Sequence, residues 1–284
     1  MDKWKELLNI NKIRIIDHTE ISQFNDFKYS ALTSFAIDDA LAISVGEKKS
    51  PVTIRLWVHD NTVVLGIPDS RMPHIEDGIQ FLKRNKQTIV IRNSGGLAVA
   101  LDSGVLNLSF IMPNDNNISI HTGYDIMKSF IQDLLKDYTS AIKAYEIVGS
   151  FCPGDYDLSI NGIKFAGISQ RRVKNGISVQ IYIDIEGKND AQALLIKEFY
   201  KQSLKNKQTK MIYPNVNPKV MGSLSTILNQ DITVKEIIKK LNNLLTENQI
   251  DQNNQPLSSE ENTTFNKRLL QMHKRNEVIH DPIE

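Results

Sequence analysis

The sequence predicts an α+β fold, and three observations carry that prediction. Stretches with apolar residues at helical spacing are interspersed with short apolar or alternating runs. Most neighbouring strand candidates are joined by short connections, which suits antiparallel pairing. Two Asn-Gly dipeptides, at 161–162 and 175–176, sit between alternating runs and signal tight hairpins. A type I′ turn needs positive φ at both central positions, and Asn-Gly supplies it.

Taken in order, residues 13–17 read as a short strand. Residues 30–45 place Phe35, Ile37, Ala40, Leu41 and Val45 near helical spacing and read as a helix. Strands are predicted over 52–58 and 62–65, followed by a turn-rich loop over 68–73 between two prolines. A helix over 75–84 puts Ile79 and Leu82 on one face. A strand over 88–92 ends at Asn93-Ser94-Gly95-Gly96, and strands follow over 98–101 and 105–112. The spacing predicts a long amphipathic helix over 125–145, a three-stranded meander over 157–185, and a helix over 191–204. A polar loop over 205–217 leads to helices over 221–228 and 234–245. Residues 247–261, rich in Asn, Gln, Ser and acids, read as an exposed linker. A last helix over 264–280 has Phe265, Leu269, Met272 and Val278 able to dock. The expected organisation is an N-terminal segment (1–29), a catalytic domain (30–246), and a linker with a C-terminal helix (247–284) that forms an appendage.

The first hairpin of the meander can be read residue by residue. Two-residue register pairs Ile160 with Ile163, Ser159 with Lys164, Leu158 with Phe165 and Asp157 with Ala166. Leu158, Ile160, Ile163 and Phe165 then form an apolar face, while Asp157, Ser159 and Lys164 share the polar one.

Composition narrows the function. The chain has 284 residues, 40% of them hydrophobic, enough for one large domain or a domain with appendages. A net charge of +1 argues against nucleic acid as a partner, since phosphate recognition needs a basic excess. No apolar run approaches the roughly 18 residues of a membrane span, and the charged start lacks an apolar signal segment. A single cysteine rules out an intramolecular disulfide and suits a reducing compartment, so a cytoplasmic, soluble protein is expected.

That cysteine, Cys152, stands in a loop flanked by Gly149, Pro153 and Gly154, a few residues before the hairpin that carries Lys164. A thiol beside a cation makes a nucleophile, because the cation favours the reactive thiolate. The plain alternatives are a small buried hydrophobe for Cys152 and a solvated side chain for Lys164. The loop setting favours chemistry, since catalytic residues concentrate on loops held by rigid scaffolds. Arg92 precedes a loop in which Gly95 and Gly96 let backbone approach a ligand, with a plain turn as the alternative. No phosphate-binding Gly-rich motif and no G-x-S-x-G elbow is present. The six histidines form no metal pattern, so neither a metal nor a cofactor is expected, although a distant histidine remains open as a partner for Cys152. The basic clusters at 171–172, 205–210, 267–268 and 274–275 read as solvated faces, with docking of an acidic protein partner as the alternative.

Two stretches carry a family resemblance. Arg92-Asn93-Ser94-Gly95-Gly96-Leu97-Ala98-Val99 resembles the R-R-x-G-G-G-x-V motif of the biotin/lipoate protein ligase superfamily. Residues 157–167, D-L-S-I-N-G-I-K-F-A-G, resemble that superfamily's D-[IL]-x-[VI]-x-G-x-K-[IF]-x-G motif, in the same order along the chain. Within it, G-S-F-C-P-G-D-Y-D-L-S together with A-G-I-S-Q-R-R is most similar to the octanoyl-[glycine cleavage H protein]:protein N-octanoyltransferases of Gram-positive bacteria. The resemblance implies a curved mixed β-sheet flanked by helices. It implies movement of an octanoyl group from the lysine of the H protein to a lysine on the lipoyl domains of 2-oxo acid dehydrogenase complexes, through an acyl-cysteine. Cys152 would be the nucleophile. Lys164 would lower its pKa and contact the acyl carbonyl. Arg92, Ser94, Gly95, Gly96, Asp157 and Gly167 would line the substrate.

Asn93 and Leu97 stand where the ligase pattern has arginine and glycine, and Leu101 stands near the place of its histidine, which weakens the case for adenylate chemistry. Two other readings are an ATP-dependent lipoate–protein ligase and a non-catalytic acyl-lysine or lipoyl-domain binding module. Both make Cys152 dispensable. A ligase consumes ATP, and a binding module turns nothing over.

Overall fold

The computed structural model describes residues 3–8, 10–24, 29–115 and 118–279. In chain order the elements are α1 (Lys3–Leu8), β1 (Lys12–His18), α2 (Ala31–Gly46), β2 (Thr53–Trp57), β3 (Thr62–Leu65), α3 (Ile75–Arg84), β4 (Thr88–Ile91), β5 (Val99–Leu101) and β6 (Val105–Pro113). They continue with α4 (Ile120–Leu134), β7 (Lys143–Ala144), β8 (Asp157–Ile160), β9 (Ile163–Val173), β10 (Gly176–Asp184), α5 (Asn189–Leu204), α6 (Leu224–Leu228), α7 (Val234–Glu247), β11 (Asp251–Asn253) and α8 (Ser259–Asn276). The predicted α+β class holds, with more parallel pairing than short connections suggest. An eight-stranded sheet runs β11-β1-β2-β6-β10-β9-β8-β7, and a three-stranded sheet runs β4-β3-β5. β1 lies parallel to both β2 and β11, and β3 parallel to β4.

Alternation along the strands of the large sheet divides the interior in two. One face carries Leu106, Leu108 and Phe110 of β6 with Val179 and Ile181 of β10, packed against Trp4, Phe130 and Leu241 from α1, α4 and α7. The opposite face is unusually polar and meets α2. Helix α2 starts at Ser30, whose side chain accepts from Thr33 N, and it is buried along its whole length. That burial explains its near-continuous apolar sequence. Its one fully buried charge, Asp38, accepts from Arg55 (3.0 Å), Ser109 (2.5 Å) and Gln180 (2.8 Å), one partner from each of β2, β6 and β10. Arg55 Nε donates to His18 Nδ1 at 3.1 Å, and burial pushes His18 down to about 3, so the ring accepts as a neutral imidazole. The small sheet closes the other side of α2, with Val64, Val99 and Phe35 in the same core.

Four sequence expectations need correction. The helix expected over 125–145 starts earlier and stops earlier: Ser119 caps it by accepting from Thr122 N at 3.0 Å, and it ends at Leu134. Residues 143–144 are drawn instead into an edge strand against β8. The expected linker contains β11, which joins the large sheet through backbone bonds that a polar sequence makes as well as an apolar one. Behind it, Arg14 donates to the carbonyls of Gln255 and Pro256 and to Glu261 at 2.8 Å. The last helix is no appendage. Phe265 and Met272 are buried in the α2 core, although Val278 is exposed and Leu269 is only half-buried. Asn276 pairs with the main chain of Ile91, accepting from its N–H (2.7 Å) and donating to its carbonyl (3.1 Å). This helix thereby braces the strand that ends just before Arg92. Position 280, the end of the predicted helix, lies outside the described residues. The helix expected over 221–228 shortens to α6, and no described helix is long and apolar enough to cross a membrane.

Candidate active site

The Asn161-Gly162 turn forms as expected, with φ of 52° and 81°. Ile160 pairs with Ile163 and Ser159 with Lys164. A β-bulge then shifts the register, so Leu158 opposes Ala166 and Asp157 opposes Gly167 rather than Phe165 and Ala166. A bulge adds one residue to one strand and re-aims the side chains beyond it. The polar hairpin face is also not solvated. Asp157, Ser159 and Lys164 are all buried, covered by the 147–152 loop and by residues near Met221.

Lys164 is the centre of this cover. Its ammonium lies 2.8 Å from Asp157 Oδ1 and donates to Ser150 Oγ (3.1 Å), Phe151 O (3.0 Å) and Cys152 O (2.9 Å). Asp157 also accepts from Ile147 N at 3.1 Å. Burial pushes the Asp157 carboxyl up against the opposing pull of Lys164. The pair pins both carbonyls around Cys152, whose φ of +46° lies in the left-handed region that a cysteine adopts only when held.

The thiol itself meets other groups. Leu97 N donates to Sγ at 3.2 Å and Arg92 Nη2 at 3.3 Å, and Nη2 also donates to Leu97 O at 2.8 Å. The sulfur's partners are thus a guanidinium and a backbone amide of the Gly-rich loop, not a histidine. Gly96 makes this contact possible. Its φ is +102°, and a Cβ there would lie 2.2 Å from Arg92 Nη2 and 2.8 Å from Sγ. A Cβ on Gly95 would meet nothing within 4 Å. Gly96→Ala is therefore expected to lower transfer about 100-fold, the scale of a 1 Å misplacement of reacting groups. Gly95→Ala should stay near wild type. Equal losses in steady-state transfer assays of the two variants would discount the steric argument.

Cys152, Arg92, Gly95, Gly96, Asp157 and Gly167 line a cavity of about 210 Å³. Ser94 is buried but is not part of the lining, and Lys164 sits beneath it. From Gly167 the lining crosses the large sheet through the register partners Tyr182, Asn107 and Trp57. Three strand spacings of ~4.8 Å make this row about 14 Å long. Val64, Val99 and Leu101 of the small sheet and Phe35 of α2 cover it. The result is a narrow, mostly apolar slot with the thiol at one end. It is smaller than the roughly 300–1,000 Å³ of pockets for drug-sized ligands, and its shape suits a slim acyl chain. Sequence reading marks none of residues 35, 57, 107 and 182 as part of a site, and Phe35 only as an apolar helix position, because they converge from four elements with no shared motif. Among the described residues no group of three or more His, Cys, Asp or Glu side chains is placed to hold a metal ion.

Comparison with known proteins bears on the family and the fold. Residues 30–246 match the lipoyl protein ligase A/B catalytic domain. The octanoyl-[GcvH]:protein N-octanoyltransferase of Oceanobacillus iheyensis is 54% identical over 98% of this chain and 99% of that protein. The lipoyl-[GcvH]:protein N-lipoyltransferase of Listeria monocytogenes is 46% identical over 96% of this chain and 97% of its own length. Among solved structures, lipoate–protein ligase A bound with ATP superposes with a TM-score of 0.71 at 16% identity, covering 95% of this chain and 98% of that one. A lipoate protein ligase from T. acidophilum with bound lipoic acid gives 0.67 at 15% identity, covering 92% and 95%. At that identity the structures speak to the fold, a mixed sheet with flanking helices. The chain belongs to the lipoyl protein ligase A/B catalytic domain family and, within it, to the octanoyl-[GcvH]:protein N-octanoyltransferases.

Proposed function

We propose that the chain carries an octanoyl group from the lysine amide of the glycine cleavage H protein to a lysine on the lipoyl domains of 2-oxo acid dehydrogenase complexes, as a thioester on Cys152. The observation that carries this reading is a thiol held by two N–H donors at the end of an apolar slot. The thiolate attacks the amide carbon, the C–S bond forms, the C–N bond breaks, and the donor lysine leaves as its amine with the proton the thiol gave up. The acceptor amine then attacks the thioester carbon, a C–N bond forms, the C–S bond breaks, and the proton the amine loses balances the return of the sulfur to its starting state. Amide is exchanged for amide, so no nucleotide is needed. The thioester lets two carriers use one slot in turn.

The guanidinium of Arg92 and the N–H of Leu97 both donate to the sulfur, and donors of this kind bond an anionic acceptor more strongly than a neutral one. Arg92 Nε has no protein acceptor, which leaves a donor for the acyl oxygen as negative charge builds. Lys164 and Asp157 shape the loop that presents the sulfur, and Gly96 leaves the room in which the Arg92 guanidinium meets it. The thiol must be reduced to act, which suits the cytoplasm.

Intact-mass analysis tests the reading. Mixed with octanoylated H protein and no ATP, the enzyme should gain one octanoyl mass that hydroxylamine removes. A lipoyl domain added next should take the group off. Failure to load without ATP, with loading from free octanoate when ATP is present, would point to a ligase instead.

A further inference from the structure

The two groups on the Cys152 sulfur, Leu97 N–H and the Arg92 guanidinium, are both tied to Leu97. Arg92 Nη2 is oriented by the carbonyl of Leu97, at 2.8 Å. The other end of the Leu97–Ala98 peptide, Ala98 N–H, donates to the hydroxyl of Tyr200 at 3.2 Å. Tyr200 in turn donates to Asp69 Oδ1 at 3.2 Å, and Asp69 Oδ2 accepts from Gly66 N at 2.7 Å. A trans peptide is planar with its N–H and C=O opposed, so fixing the N–H of Ala98 fixes the direction of the Leu97 carbonyl.

We infer that Tyr200, held by Asp69, is a positioning residue for acyl transfer, fixing the Leu97–Ala98 peptide and through it the Arg92 guanidinium on the Cys152 sulfur. The inference rests on the proposed Cys152 thioester and adds residues that no sequence motif pointed to. Tyr200 sits on α5, far from the Gly-rich loop in sequence, and is buried between Phe199 and Tyr213, with ring centroids 5.3 and 5.6 Å away. A phenylalanine would fill the same space, so packing alone does not need the hydroxyl. Burial holds the phenol well above its ordinary pKa, so it stays a donor. The segment bearing Asp69 is itself tied down, because Tyr213 donates to Pro68 O at 2.8 Å. The end of β3 is pressed against the loop as well: a Cβ on Gly66 would fall 1.9 Å from Gly96 O.

A double-mutant cycle tests this, read by single-turnover acylation of Cys152 and by the pH profile of iodoacetamide alkylation. Tyr200→Phe should slow acylation about tenfold, leave KM for the octanoylated H protein unchanged, and move the alkylation profile to higher pH. In an Arg92→Gln background the same change should cost less than about twofold, because the group being positioned is gone. Asp69→Asn, which keeps an acceptor for the phenol, should be milder than Asp69→Leu. A tenfold loss in both backgrounds, or none in either, overturns the inference. Alkylation reads the thiol directly, so it decides the point even if Cys152→Ala were found to transfer octanoate, the result that would sink the thioester reading instead.

Discussion

Cys152→Ala is expected to lower octanoyl transfer by more than about 10³-fold, the scale on which removal of a covalent nucleophile acts. The groups that touch the sulfur and the lysine beneath it do not replace the thiol. Arg92 presents only guanidinium N–H donors to the sulfur, and Leu97 contributes only an amide N–H. Lys164 is fully buried and spends its donors on Asp157, Ser150 and two backbone carbonyls. Without the thiol, both carrier lysines would have to occupy one narrow slot at once. Cys152→Ser should be nearly as poor, because a hydroxyl ionises far less readily and the sulfur's partners include no general base. The measurement is mass analysis of the lipoyl domain after incubation with octanoylated H protein. An unchanged melting temperature in both variants would place the loss in chemistry. Transfer by Cys152→Ala within tenfold of wild type would refute the thioester.

The hairpin around Lys164 was legible because its determinants are local: Asn161-Gly162 admits positive φ at both positions, and the alternation on either side gives the apolar face. The slip in register at Leu158 was not, since a bulge depends on how both strands twist against their neighbours. Nor was the burial of Lys164. The groups that cover it come from 147–152 and from around Met221, and sequence pattern alone marks a lysine on a polar strand face as solvated. The family motifs brought Arg92, Gly96 and Cys152 to notice but not their mutual contact, because the second donor to the sulfur is a backbone amide, which every residue but proline possesses. The slot was invisible for a related reason. Phe35, Trp57, Asn107 and Tyr182 meet only after the sheet has formed. At the C-terminal end, β11 is made of Asp, Gln and Asn, so no hydrophobic period announces it.

Lys164→Met separates anchoring from charge. The substitution leaves Asp157 buried without its cation and frees the carbonyls of Phe151 and Cys152 from their donor. Breaking a buried pair from one side costs about 3–5 kcal/mol, a large share of the roughly 5–15 kcal/mol that holds a protein folded. The sign of its pH dependence comes from Asp157, whose carboxyl burial already pushes up and Lys164 pulls down. Losing Lys164 raises it further. A raised carboxyl favours the protonated native state, so stability is present at low pH and is lost as pH rises through the folded-state value. Urea denaturation should therefore show a larger penalty at pH 8 than at pH 5. Lys164→Met with Asp157→Asn should recover part of it by removing the stranded charge. Activity should not return with stability, because no ammonium then pins the carbonyl of Cys152 in its left-handed conformation. Alkylation distinguishes the two cations. Arg92 touches the sulfur at 3.3 Å, whereas the charge of Lys164 is met by a carboxylate at 2.8 Å. Arg92→Gln should thus move the alkylation profile to higher pH by more than the Lys164→Met, Asp157→Asn pair does. If the pair moved it as far as Arg92→Gln, Lys164 would act on the thiol as a cation, and Asp157 would not be neutralising it.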